Sequence, residues 1–122
     1  MKAYYDNKPS RIEAIGNGSW FYRWDIKEES VEHEGETRTQ YSCKEVVVWS
    51  PITSNRVLQA VLEDKYPNNR EQKYINEYNA AILGVYKDNE AAHKIETYKV
   101  FLMERDTIKN QVDSDCMEFG IK

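Results

Sequence analysis

Polar and apolar side chains alternate from Arg11 to Ile15, and again after residue 19, where Trp20, Tyr22, Trp24 and Ile26 fill every second position. A period of two places such residues on one face of an extended strand. Gly16-Asn17-Gly18-Ser19 lies between the two runs. Asn-Gly between alternating segments favours a type I′ hairpin, which needs positive φ at both central residues. Residues 11–15 and 20–27 are therefore expected to pair antiparallel. Residues 27–36 carry five glutamates and a glycine and read as a solvated loop or the exposed tip of a second hairpin. The next run ends in Glu45-Val46-Val47-Val48-Trp49, a β-branched density that predicts a strand covered on much of both faces. Tyr4-Tyr5 can add a short edge strand.

From Pro51 the period becomes that of a helix. Thr53 or Ser54 can cap a first helix carrying Val57, Leu58, Val61 and Leu62, which must stop before Pro67. Asn68 or Asn69 can cap a second, with Tyr74, Ile75, Tyr78, Ile82 and Leu83 on its apolar side and Gly84 in the left-handed position after it. Asp88 or Asn89 opens the longest helix, with Ala91, Ile95, Tyr98, Phe101, Leu102, Ile108 and Val112 on one side. Residues 113–122 carry weak signals and are expected to fray or to add a short strand at 117–121.

Strands followed by helices, rather than alternating with them, indicate an α+β fold. The expected architecture is an N-terminal three- to four-stranded antiparallel meander packed against two to three C-terminal helices. One domain spans residues 1–122, with the meander in 1–50, the helical half in 51–112 and the tail in 113–122. A small sheet cannot hide its apolar face alone. The row Trp20, Tyr22, Trp24 and Ile26 is the face on which the helices would pack. The competing reading is a base- or sugar-stacking platform. Such a platform needs a basic rim, whereas the opposite face offers the mixed set Phe21, Arg23, Asp25 and Lys27 and the next segment is acidic.

Charge reinforces that choice. Seventeen basic residues against 21 acidic ones give a formal charge of −4, without the dominant basic field of a general nucleic-acid binder. The N-terminus lacks the apolar core of a signal peptide, and no apolar run approaches the roughly 18 residues of a membrane span. A cytoplasmic protein with no membrane association is expected. Cys43 and Cys116, 73 positions apart, then read as reduced thiols.

Candidate chemistry is sparse. Glu32-His33-Glu34 has the composition of a metal cluster but sits in a glycine-bearing segment that fixes no geometry. Asp113-Ser114-Asp115-Cys116 reads as solvated chain. His93, beside Lys94 in a polar stretch, reads as a surface histidine. Signatures of nucleophilic hydrolases, zinc proteases and nucleotide-binding loops do not occur. Carboxylate pairs for a hydrolase would need a cleft in which at least two converge. A non-enzyme without cofactor or metal is the expectation.

Nine tyrosines are more than a small core needs. An amphipathic ring suits both a core margin and a protein interface. Tyr66, Tyr74, Tyr78 and Tyr86, all in the helical half, form the candidate interaction surface. The stretch EVVVWSPITSNRVLQAVLEDKYPNNREQKYINEYNAAILG, residues 45–84, resembles small uncharacterised proteins encoded in prophages of gut bacteria, among genes for virion and tail components. The resemblance covers about a third of the chain and carries no functional residues. It implies a virion- or tail-associated accessory role, with a protein partner or self-association. A small-ligand or nucleic-acid module on the aromatic face and a carboxylate hydrolase are the alternatives.

Overall fold

The computed structural model of the chain describes every residue from Met1 to Lys122. Strands β1 (Lys2–Tyr5), β2 (Ile12–Ala14), β3 (Ser19–His33) and β4 (Glu36–Trp49) precede helices α1 (Ser54–Lys65), α2 (Arg70–Ile82) and α3 (Asp88–Glu118). The strands form one antiparallel sheet in the order β1-β4-β3-β2. The fold is α+β, as the pattern predicts, and Tyr4 and Tyr5 lie in the edge strand beside β4.

Two turns differ from their sequence reading. The link between β2 and β3 has positive φ at Gly16 (98°) and Gly18 (87°), with Asn17 outside that region. Asn17 Oδ1 instead accepts from the Ser19 backbone N–H at 3.2 Å, an Asx turn that replaces the expected type I′ pair. The two-residue turn with both φ positive joins β3 to β4, at Glu34 (52°) and Gly35 (80°). Residues 27–36 are thus the tip of a second hairpin, of the two forms the glutamate-rich stretch allowed. Their strands project beyond β1 and β2 as a two-stranded ribbon.

Alternation along β3 holds to Trp24 and then breaks. Trp24 pairs with Lys44 and Lys27 with Ser42, so Asp25 and Ile26 together oppose Cys43. This is a β-bulge, and Asp25 accommodates it at φ 54°. Ile26 therefore leaves the register that the period of two assigns it.

Tyr22 is fully buried in a core with Ile12, Val46 and Val48 from the sheet, Val57, Val61 and Leu62 from α1, and Phe101, Val112 and Cys116 from α3. Trp20 and Trp24 pack against that core but stay half-buried. The row is the inner face of the sheet, with its phenol at the centre and its indoles at the margins.

The helix starts follow their sequence signals in position more than in chemistry. Thr53 caps α1, its side chain accepting from the Arg56 N–H at 3.2 Å. Asn69 stands at the cap of α2 in left-handed conformation, and its side chain makes no capping bond. Lys87, not Asp88, precedes α3, while Asp88 and Glu90 place negative charge in its first turn, where the helix dipole favours it. Gly84 takes the left-handed position after α2 (φ 79°).

The tail departs most from expectation. Residues 113–118 neither fray nor form a strand; they continue α3, which at 31 residues is roughly 46 Å long. The chain end is pinned, since Ile121 N–H donates to the Cys116 carbonyl at 2.7 Å and Lys122 O accepts from Ser54 N–H at 3.2 Å. No helix is long and apolar enough to cross a membrane.

Candidate functional site: the helical arm and its tyrosines

α3 serves two partners in turn. Its C-terminal part lies on the sheet, where Asp115 Oδ2 accepts from the Tyr22 hydroxyl at 2.6 Å and Asp115 Oδ1 from Arg11 at 2.5 Å. Its earlier turns pack against α2, forming a helical hairpin that we call the arm. Aromatic rings build that contact. Tyr78 stacks on Tyr98 at 4.5 Å between centroids, with 23° between the planes. Tyr74 leans on Phe101 at 5.1 Å and meets Tyr66 edge-on at 6.1 Å. Tyr66, from the end of α1, completes the cluster edge-on against Phe101 at 5.1 Å.

Of the four candidate tyrosines, Tyr66 is buried and Tyr74, Tyr78 and Tyr86 are half-buried. Tyr66 gives its hydroxyl to Glu104 Oε2 at 2.5 Å. Burial and that carboxylate push the Tyr66 hydroxyl well above the usual tyrosine range. The same bond, with Lys65 nearby, holds Glu104 below the ordinary carboxylate range. Tyr86 lies just past α2, with Lys94 Nζ 5.7 Å from its ring centre. Tyr66 and Tyr74 thus join the arm to the body, while Tyr78 and Tyr86 lie toward its free end.

The free end is apolar. Ile82 ends α2, Leu83 and Val85 lie in the turn between α2 and α3, and Leu83 is 80% exposed. Backbone bonds close α2 through this turn. Leu83 N–H donates to the Asn79 carbonyl and Val85 N–H to the Ala80 carbonyl, both at 3.0 Å. In sequence these residues resemble the inward side of the second helix. Only the position at which the helix ends separates Ile82 and Leu83 from its buried face.

The remaining candidate residues divide differently. Glu32, His33 and Glu34 lie exposed at the ribbon tip, and His93 is exposed on α3. No group of three or more His, Cys, Asp or Glu side chains could hold a metal ion. Asp113, Asp115 and Cys116 are not solvated chain. Asp113 accepts from Ser54 Oγ at 2.5 Å and Lys109 Nζ at 2.6 Å, and Asp115 and Cys116 are buried. The correction follows from α3 running on to Glu118, which turns these side chains toward Arg11, Tyr22 and Ser54. Burial raises both Cys43 and Cys116 above the ordinary thiol range, so each is held as the inert thiol. The two cysteines are free.

On the opposite face of the sheet, Arg23 is 1% exposed. Its guanidinium lies between the rings of Tyr5 and Phe21, 4.7 and 4.6 Å from their centres. It donates to Glu45 Oε1 at 2.7 Å, Glu13 Oε1 at 2.9 Å and the Ser10 carbonyl at 3.0 Å. Sequence reading missed this network, because its partners come from three separate strands and the segment before β2. Alternation could place Arg23 and Glu45 on one face but could not show the face to be covered there.

Asp25, Asp64 and Glu104 do line one cleft, together with Trp24. Each is already engaged: Asp25 with Lys44, Asp64 with the chain's own N-terminus, Glu104 with Tyr66 and Lys65. A general acid needs a raised carboxyl pKa, and Glu104 is shifted the other way. No known protein family, curated protein or solved structure matches the chain.

Proposed function

We propose that the chain is a non-enzymatic protein-interaction or assembly component whose contact surface is the end of the helical arm. The observation that carries this reading is the run Ile82, Leu83 and Val85, exposed together where the α2–α3 hairpin turns. Exposed apolar side chains gathered at one turn are stabilised when another surface covers them. Tyr78 and Tyr86 flank the tip with rings that can meet a partner while their hydroxyls stay hydrated. Tyr66 and Tyr74 take the supporting part, fixing the angle at which the arm leaves the body. For the isolated chain, the partner is a second copy.

The resemblance of residues 45–84 to prophage-encoded proteins points this component toward a virion or tail accessory role, with residence in the cytoplasm before assembly. Paired carboxylates and buried thiols support the non-enzymatic side of the reading. A photo-crosslinking residue at position 83 tests it. Adducts at this position and none at position 34, on the ribbon tip, are the expected result. Equal labelling at both positions, or none at 83, would remove the arm from the interface.

A further inference from the structure

We propose that the cleft between β3, α1 and α3 binds a small zwitterion bearing a flat aromatic ring, of the class that free aromatic amino acids represent. The cleft is open on one side and offers about 590 Å³, within the roughly 300–1,000 Å³ typical of small-molecule sites. Its apolar lining comes from Trp24, Val61 and Ile108, with Val100 and Met103 exposed at the mouth.

Trp24 supplies the ring surface. It stacks on the buried Tyr22 at 5.6 Å, with 19° between the planes. That contact fixes the indole while leaving it half-exposed where it lines the cleft. A rigid ring of this kind binds another ring with little ordering cost.

The rim supplies both signs of charge. Lys44 meets Asp25 at 3.7 Å and Lys65 meets Glu104 at 3.6 Å, all four side chains being about half-exposed. The N-terminal ammonium holds Asp64 at 2.8 Å. The two lysine pairs, long and exposed, contribute little and exchange readily. Each lysine ammonium has three donors, so a ligand carboxylate can join Lys44 or Lys65 while a ligand ammonium joins Asp25. Two lysines and three carboxylates line the rim, and the N-terminal ammonium on Asp64 brings it near neutrality. A ligand carrying both signs can complement both kinds of group, whereas a ligand of one sign complements only one kind.

The test uses the full chain titrated with tryptophan, indole-3-acetate and tryptamine, followed by calorimetry and ligand-observed saturation-transfer NMR. Tryptophan should saturate a single site, with each singly charged analogue weaker by about two- to fivefold. Thr107→Trp, at an exposed lining position on α3, should fill the cleft and weaken tryptophan binding by at least about tenfold without altering the melting curve. Lys44→Glu, on the strand wall, makes the rim acidic and should act similarly if Thr107→Trp perturbs folding. No saturable tryptophan binding to the folded wild type, equal binding by the variants, or tighter binding of either analogue overturns the proposal.

Discussion

Tyr22 joins the two halves of the molecule through a single hydroxyl. It donates to the buried Asp115 on α3 and accepts from Gln111 at 3.3 Å. Removing that hydroxyl leaves Asp115 short of a donor, so Tyr22→Phe should cost about 1–3 kcal/mol, measured by urea unfolding. Arg23→Ala should cost more, about 3–5 kcal/mol, because it strands Glu45 without its buried counter-charge. A change below 1 kcal/mol in that variant would mean the pair behaves as a surface ion pair. Neither contact was legible in the sequence. Asp115 lies 93 positions from Tyr22, and a carboxylate in a polar C-terminal stretch looks solvated until the helix carrying it is seen to continue. The burial of Tyr22 was legible, because alternation alone assigns it to the inner face.

Elements are more legible in the sequence than single contacts. The change of period at Pro51, the Thr53 cap, the stop at Pro67 and Gly84 each mark a local backbone event that one side chain decides. The turn at Glu34 and Gly35 was less visible, since glutamate rarely adopts positive φ and the more obvious Asn-Gly signal lay elsewhere. The end of α3 was missed because its support is tertiary: Arg11 reaches both Asp115 and Glu118, at 2.5 and 2.6 Å. The arm was legible as two helices but not as a hairpin held by packed rings. Phe101 is its hinge of packing, touching Tyr66, Tyr74 and Tyr98 at once. Phe101→Ala should cost about 3–5 kcal/mol and loosen α2 first. Native-state hydrogen exchange should show α2 amides opening at lower free energy than those of β3 and β4. Uniform loss of protection across sheet and helices would show instead that the arm unfolds only with the body.

For the molecule as a whole, ionisation bounds the stable range on both sides. Glu29, Glu104 and Asp113 titrate below their ordinary values, through hydrogen bonds from Ser42, Tyr66 and Lys109 respectively. Groups depressed on folding stabilise above their unfolded pKa, and that contribution is lost as pH falls through the folded one. Tyr22 and Tyr66 titrate above the usual tyrosine value of 10.0. Their contribution is complete below that value and is lost as pH rises through the folded pKa. Melting temperature should thus be flat near neutrality and fall in acid and in strong alkali. Phenolate absorbance from these two rings should appear only together with unfolding.

The role of the molecule depends on what covers the end of the arm. Sedimentation velocity over a wide concentration range, on the wild type and on Leu83→Glu, tests it most directly. Leu83 is exposed, so the substitution should change stability by no more than about 0.5 kcal/mol. The account predicts a larger species that grows with wild-type concentration and is absent from the variant. A wild-type chain that sediments as a monomer throughout would contradict it.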